Sequence, residues 1–116
     1  MTQYMLLIYG EESMWANLTP DQLSAEMGAY MAYTQDLVKA GVMVAGDELH
    51  PVATAKTLSI AGGKPKVVDG PFAETKETLG GYYILNVESQ EDALAWAAKC
   101  PGARHGRIEV RPVVQR

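Results

Sequence analysis

Two segments of this sequence are apolar on both faces of the β-strand that each one predicts. Residues 3–9 read QYMLLIY and residues 81–87 read GYYILNV. A strand with one face in water alternates apolar and polar side chains, so both strands need cover on each face. A chain of 116 residues has room for one core, and we expect a single domain over residues 1–116.

Capping signals define the first long helix. Thr19-Pro20-Asp21-Gln22 is typical of a helix start with a capping box, and Gly41 ends a helix that is predicted to run to about Ala40. The helix period predicts an inner stripe facing the core, formed by Leu23, Met27, Tyr30, Thr34, Leu37 and Val38.

Turn residues divide the remainder of the chain. We expect a strand at 42–49, a hairpin at 54–69 around Gly62-Gly63, a loop at 70–79, a short helix from Ser89 to Pro101 and a strand at 107–113. The order is β-α-β, a β hairpin, then β-α-β. Right-handed crossovers place both helices on one face of an antiparallel sheet, which predicts a ferredoxin-like α+β sandwich.

The helix-free sheet face is then bare and apolar, and a bare apolar face of this size usually marks an interface. We expect a homodimer that pairs through this face, with the two sheets enclosing a partly polar cavity.

Composition excludes several classes of function. The formal net charge of −4 and the pI near 5.1 argue against direct nucleic-acid binding. The longest apolar runs are far shorter than a membrane span, and no signal peptide is evident, so we expect a cytoplasmic protein. The single cysteine, Cys100, fits a reducing compartment and is expected to be an inert core thiol. No metal or cofactor motif is present, so neither is predicted.

The stretch that combines a Gly-Pro bend with a high density of charged side chains is DGPFAETKE, residues 69–77. Asp69 can accept backbone N–H bonds within a Gly-Pro bend, or it can act as a general acid or base. Phe72, Glu74 and Lys76 follow, and they are the candidates for holding a ligand at a pocket rim. A solvated loop remains the alternative.

This stretch and the following LGGYY resemble the signature of the DGPF family within the YCII-related proteins. GDEL with Pro51, ALAWA up to Pro101, and GRIEVRP support the match, which covers nearly the whole chain. The resemblance implies a dimeric α+β barrel and a bacterial accessory protein associated with extracytoplasmic-function sigma factors, hence a sigma-factor-related partner. Some YCII-like relatives are lyases or dehalogenating enzymes that use an Asp and a first-helix His, but residues 26–30 contain no histidine.

Two histidines and two arginines are further polar residues of interest. His50 follows the second strand and is a candidate acid or base, or simply an exposed strand-end residue. His105 lies in a turn and is expected to be solvated. Arg107 and Arg111 share one strand face, where they could hold a carboxylate or lie in solvent beside Glu109.

Two functions follow from these residues. The first is a dimeric module that binds a small molecule or has a regulatory role. The alternative is a small lyase or isomerase that acts on a carboxylate-bearing substrate, with Asp69 or Glu74 as acid or base and Lys76 or an arginine holding the substrate.

Overall fold

Six strands and three helices are present in the computed structural model, which describes all of residues 1–116. The strands are β1 (Thr2–Gly10), β2 (Met43–Glu48), β3 (Lys56–Ala61), β4 (Lys64–Asp69), β5 (Thr78–Val87) and β6 (Arg107–Pro112), and the helices are α1 (Glu12–Ala16), α2 (Pro20–Lys39) and α3 (Gln90–Lys99). Single 3₁₀ turns span Val52–Thr54 and Pro101–Arg104. A four-stranded antiparallel sheet has the order β2-β5-β1-β6, and β3 and β4 form a separate hairpin. The predicted ferredoxin-like α+β fold is confirmed.

One additional helix and one strand boundary differ from the sequence prediction. The short helix α1 carries too little periodicity to be predicted. The last two residues of the loop expected at 70–79 belong to β5. They are strand residues because β1 continues to Gly10, where Gly10 pairs with Thr78 and Tyr9 pairs with Leu79. A backbone partner therefore extends β5 further than its own sequence indicates.

The core lies between the sheet and its helices. Its buried residues come from both central strands, from α2 and from α3 with its C-cap: Tyr4, Leu6, Tyr33, Leu37, Tyr83, Leu85, Val87, Ala93, Ala97 and Cys100. The ring of Tyr33 packs edge-on against Tyr83, with 5.3 Å between ring centroids. Its hydroxyl donates to the Trp96 carbonyl at 2.8 Å, which ties α2 to α3.

Helix α2 begins and ends where its capping residues predict. Thr19 Oγ1 accepts from the Gln22 N–H at 3.2 Å, and Gln22 Oε1 accepts from the Thr19 N–H at 3.0 Å. Pro20 occupies the first turn, and Gly41 follows the helix with φ of +72°, a conformation that favours glycine.

The predicted inner stripe of α2 is wrong in its composition. Only Tyr33 and Leu37 of this helix are buried, whereas Val38 is 61% exposed and Met27 is 60% exposed. Met27 is exposed because the N-terminal half of α2 borders an open cavity, whereas Val38 lies on the solvent side of the C-terminal half, which packs on the sheet through Tyr33 and Leu37.

The opposite sheet face has no helix over it. Met5 pairs with Ile84, and Leu7 pairs with Tyr82, so these four half-buried side chains form the centre of that face. Arg111 and Glu109 of β6 continue the same rows, opposite Met5 and Leu7. None of the helices is long and apolar enough to span a membrane.

Candidate functional site

A cavity of about 400 Å³ separates the N-terminal half of α2 from the sheet. Its walls come from β1, β2, β5, both N-terminal helices and the turn after α3. The apolar lining includes Ile8, Met14, Trp15, Leu23, Met27, Tyr30 and Met43. Glycines on the sheet side, Gly46 and Gly81, leave the backbone itself as part of the wall. The cavity is therefore a space enclosed mainly by apolar and aromatic side chains of one chain.

A carboxylate and an imidazole meet at one wall of this cavity. Glu26 of α2 places its Oε1 3.0 Å from Nε2 of His105, in the turn before β6. The Glu26 side chain is 16% exposed and that of His105 is 37% exposed. The second oxygen of Glu26, Oε2, is buried and accepts no hydrogen bond. Part of the acceptor capacity of this carboxylate is therefore unused.

Neutral hydroxyl groups line the inner end of the cavity. Thr34 Oγ1 and the Tyr83 hydroxyl are 2.8 Å apart and share a hydrogen bond. Burial raises the pKa values of Tyr30 and Tyr83, so both phenols keep their protons at neutral pH. Burial also raises the pKa of the Cys100 thiol, in accordance with its expected role as an inert core residue.

The charged side chains around the cavity all carry one sign, apart from His105. Five acidic residues contribute to the lining, Glu11, Glu12, Glu26, Asp47 and Glu48, and no lysine or arginine does, although the Asp47 carboxylate itself lies on the helix-free face with Tyr82. Some of them have structural partners: Glu12 Oε2 accepts from the Val52 N–H at 2.9 Å, and Asp47 Oδ2 accepts from the Tyr82 hydroxyl at 2.9 Å. The mouth of the cavity is therefore acidic.

Asp69 lies outside this cavity, at the end of β4. Its carboxylate is paired with Lys56 Nζ across the hairpin, and its side chain is 84% exposed. The expected backbone N–H bonds to Asp69 are not what holds the bend. The Gly70 N–H donates to the Ala55 carbonyl, the Gly70 carbonyl accepts from Thr57 Oγ1, and Gly70 has φ of +103°. Backbone and Thr57 contacts thus fix the bend that sequence reasoning assigned to Asp69.

Two of the predicted ligand-binding residues do come together. Lys76 and Arg107 border a shallow depression beside the start of β6, together with Glu11 and Glu77. Each cation already has a carboxylate partner, because Lys76 Nζ lies 3.5 Å from Glu11 Oε1 and Arg107 Nε lies 3.5 Å from Glu77 Oε1.

The other predicted site residues are dispersed. Arg111 Nε lies 3.6 Å from Glu109 Oε2 on β6, in an exposed ion pair. Phe72, Glu74 and His50 are all exposed in the segments that flank the hairpin, and none of them lines the cavity under α2.

Sequence reasoning missed the pairing of Glu26 with His105. The two residues are 79 positions apart, and they meet because the turn after α3 is carried past the N-terminal half of α2. In the sequence, Glu26 belongs to a helix stretch, residues 26–30, that contains no histidine. The histidine comes instead from another element, which a scan along one helix does not detect. No group of three or more His, Cys, Asp or Glu side chains is arranged to hold a metal ion.

The chain belongs to the YCII-related domain family, whose model matches residues 2–116. A protein of Rhizobium meliloti (strain 1021), described as uncharacterised, is 35% identical over 112 residues, covering 95% of this chain and 90% of its own length. Among solved structures, the fold is similar to 5-chloro-2-hydroxyhydroquinone dehydrochlorinase from Burkholderia phenoliruptrix AC1100 in complex with 2,5-dihydroxybenzoquinone. That similarity has a TM-score of 0.56 at 13% identity and covers 98% of this chain and 95% of the other.

Proposed function

We propose that this protein binds a small organic molecule in the cavity between α2 and the sheet. The observation that carries the proposal is a hydrogen-bonded Glu26–His105 pair set among the apolar side chains that line a cavity of about 400 Å³. Small-molecule sites commonly occupy about 300–1,000 Å³ and combine apolar walls with a few convergent polar groups. The dihydroxybenzoquinone held by the structurally similar dehydrochlorinase is a ring compound of a size suited to such a space.

The charge of the cavity mouth narrows the class of ligand. Glu12, Glu26 and Glu48 line it without a lysine or arginine partner, so an anionic ligand meets repulsion from several groups at once. A neutral or cationic ring compound avoids that repulsion, and a cation placed over the ring of Trp15 or Tyr30, which both line the cavity, gains attraction. The acidic lining therefore argues for a neutral or cationic ligand in place of the carboxylate-bearing substrate expected from Arg107 and Arg111.

Three matched probes test this proposal: benzyl alcohol, benzylamine and benzoate. We expect the first two to shift the backbone NMR signals of Thr34, Gly81 and His105, and benzoate to shift them least. The Met27→Ala variant should weaken the effect, whereas Met31→Ala, on the same helix outside the cavity, should not. Shifts spread evenly over the surface, or none at these residues with any probe, would contradict a binding site in the cavity.

A second candidate function is acid–base catalysis at the same site. The observation that favours it is the 3.0 Å contact between Glu26 Oε1 and His105 Nε2, since a carboxylate that holds an imidazole is a common arrangement for proton transfer. In such a step the pair takes a proton from carbon next to a carbonyl and returns it to another atom of the same molecule. That step balances as an isomerisation without a further reactant.

Solvent exchange separates catalysis from binding alone. With 2-indanone in D₂O, an acid–base pair should exchange the ring hydrogens next to the carbonyl faster than buffer does. The His105→Asn and Glu26→Gln variants should lose about 10²–10⁴-fold of that rate while still binding the ketone. Exchange no faster than in buffer, with binding intact, would leave the protein as a binding module.

We also propose a homodimer that pairs through the helix-free sheet face. The accessible surface of the single chain is 8147 Å². A compact chain of 12.6 kDa exposes about 6,200 Å² by area scaling. The excess, together with the apolar centre formed by Met5, Leu7 and Ile84, supports a second copy as the cover. Sedimentation at micromolar concentration should give about twice 12.6 kDa, and Leu7→Lys should reduce that mass.

A cytoplasmic location and a sigma-factor-related partner stay predictions, and the second of these rests on the resemblance alone. Co-purification of a tagged chain with an extracytoplasmic-function sigma factor of the same bacterium tests that partnership. Recovery of the sigma factor at the level of an untagged control would count against it.

A further inference from the structure

The β3–β4 hairpin extends away from the rest of the molecule. Every residue of the two strands except Thr57 is exposed. The radius of gyration of 16.1 Å exceeds the value of about 13 Å expected for a compact chain of this length. The hairpin therefore packs on nothing within its own chain along most of its length.

One face of this hairpin is apolar beyond the Lys56–Asp69 ion pair at its base. Leu58 pairs with Val67 and Ile60 pairs with Pro65, and residues paired across an antiparallel ladder lie on the same face. Leu58 and Ile60 are 61% and 65% exposed, and Phe72, shortly after β4, is 92% exposed. The opposite face carries Thr57, Ser59, Ala61, Lys64, Lys66 and Val68.

An isolated two-stranded hairpin is at best marginally stable in water unless its apolar face is covered. A face that gathers three large aliphatic side chains and a proline is also much less common on a free surface than scattered single residues. This face therefore needs a partner of its own.

The charges indicate what that partner is. Three lysines and one aspartate give residues 56–69 a formal charge of +2, so the net −4 of the chain leaves −6 on all other residues. The arm is basic and the body from which it extends is acidic. A second copy of the chain has the same acidic body and the same basic arm. In a symmetric dimer, the arm of each copy can therefore pack on the body of the other.

The surface area agrees with this partner. The single chain exposes about 1,900 Å² more than a compact chain of its mass, whereas a stable interface needs about 800 Å² from each partner. The excess is large enough for the helix-free sheet face and the hairpin face to be covered together.

We propose that the β3–β4 hairpin is a dimerisation arm whose Leu58–Ile60–Val67 face packs on a second copy of this chain. This inference rests on the proposed homodimer and adds a contact that the sheet face does not require. The contact buries the apolar face, while Lys64 and Lys66, on the opposite face of the hairpin, add longer-range attraction to the acidic body of the partner.

The experiment compares two double variants of the full chain by analytical ultracentrifugation over a concentration series. Leu58→Ser with Ile60→Ser changes the apolar face, and Thr57→Ser with Ser59→Ala changes the opposite face as the matched control. We expect the first variant to raise the dimer dissociation constant at least 10-fold, and the control to leave it within about 2-fold. Raising the salt concentration should also weaken the wild-type dimer.

Hydrogen exchange of the hairpin amides gives a readout that does not depend on a variant folding. Amides of β3 and β4 should be protected where the wild-type chain is dimeric and should exchange quickly on dilution. If the Leu58 and Ile60 changes leave the dimer unaffected, and the hairpin amides exchange quickly at all concentrations, the hairpin is not a dimerisation arm. That result would still be compatible with a dimer formed through the sheet face. A wild-type chain that is monomeric at all concentrations overturns both.

Discussion

The two halves of α2 differ in what they contact. The C-terminal half buries Tyr33 and Leu37 against the sheet and α3, and it carries no charged group into the core. The N-terminal half leaves Met27 largely exposed and contributes Glu26 to the cavity wall beside His105. One continuous helix thus stabilises the fold at one end and lines the candidate site at the other.

The difference shows how a small fold can carry a cavity without losing its core. If both halves packed on the sheet, the cavity would close. If neither did, too few apolar groups would be buried to stabilise a chain of 116 residues. We therefore expect changes in the C-terminal half to lower stability, and changes in the N-terminal half to affect binding.

The largest change in the free energy of unfolding is expected at Leu37. This side chain is fully buried, so Leu37→Ala should lower the free energy of unfolding by about 2–5 kcal/mol through lost burial and a residual cavity. Val38→Ala, one residue later on the exposed side, should change it by about 0.5 kcal/mol or less. Urea unfolding measures both, and similar losses in the two variants would contradict the assigned packing of this half.

The next effect concerns the wall between the cavity and the core. A Cβ at Gly102 would stand 2.6 Å from the Tyr30 hydroxyl and 2.9 Å from Ile8 Cγ2, so Gly102→Ala must displace one of them. We expect a loss of about 1–3 kcal/mol and a changed NMR environment for Tyr30.

Gly28→Ala is the matched control for that variant. Gly28 is exposed in α2 with open space around it, so alanine there should stabilise the helix by about 0.5–1 kcal/mol. If both variants changed the free energy of unfolding in the same direction, the tight fit at Gly102 would not govern stability.

A smaller effect should appear at alkaline pH. Burial raises the pKa of Tyr33, so the folded chain keeps a proton that the unfolded chain loses above about pH 10. The stability that this difference provides is complete below that pH and falls as the pH rises further, by about 1.4 kcal/mol per pH unit. Tyr33→Phe removes this contribution. Between pH 9 and pH 11, the free energy of unfolding should therefore fall less with rising pH in the variant than in wild type. A pH dependence identical to that of wild type would contradict burial of this phenol.

The smallest stability effect is expected at Met27. Because this side chain is mostly exposed, Met27→Ala should change the free energy of unfolding by less than about 0.5 kcal/mol. Its effect on benzyl alcohol affinity should nevertheless exceed that of Met31→Ala. A large loss of stability with unchanged probe binding would reverse the roles assigned to the two halves.

The fold was predictable to a much greater extent than the candidate site. Period-two and period-3.6 patterns, the capping box at Thr19 and Gln22, and the glycine after α2 are local signals, and they gave the order of the main elements. The predicted site concentrated on the densest motif, residues 69–77. In the structure Asp69 pairs with Lys56 across the hairpin, and Arg107 pairs with Glu77. A dense run of charges in sequence thus became a set of exposed ion pairs.

The sequence by itself determined the strands, the long helix and their ferredoxin-like order, because each depends on hydrogen bonds and side-chain periodicity within a few residues. Only the tertiary structure decided that half of α2 would stand off the sheet, that His105 would reach Glu26, and that Gly70 and Thr57 would hold the bend at Asp69. Those contacts depend on packing between elements far apart in the chain, and no local pattern records the distance between two such elements.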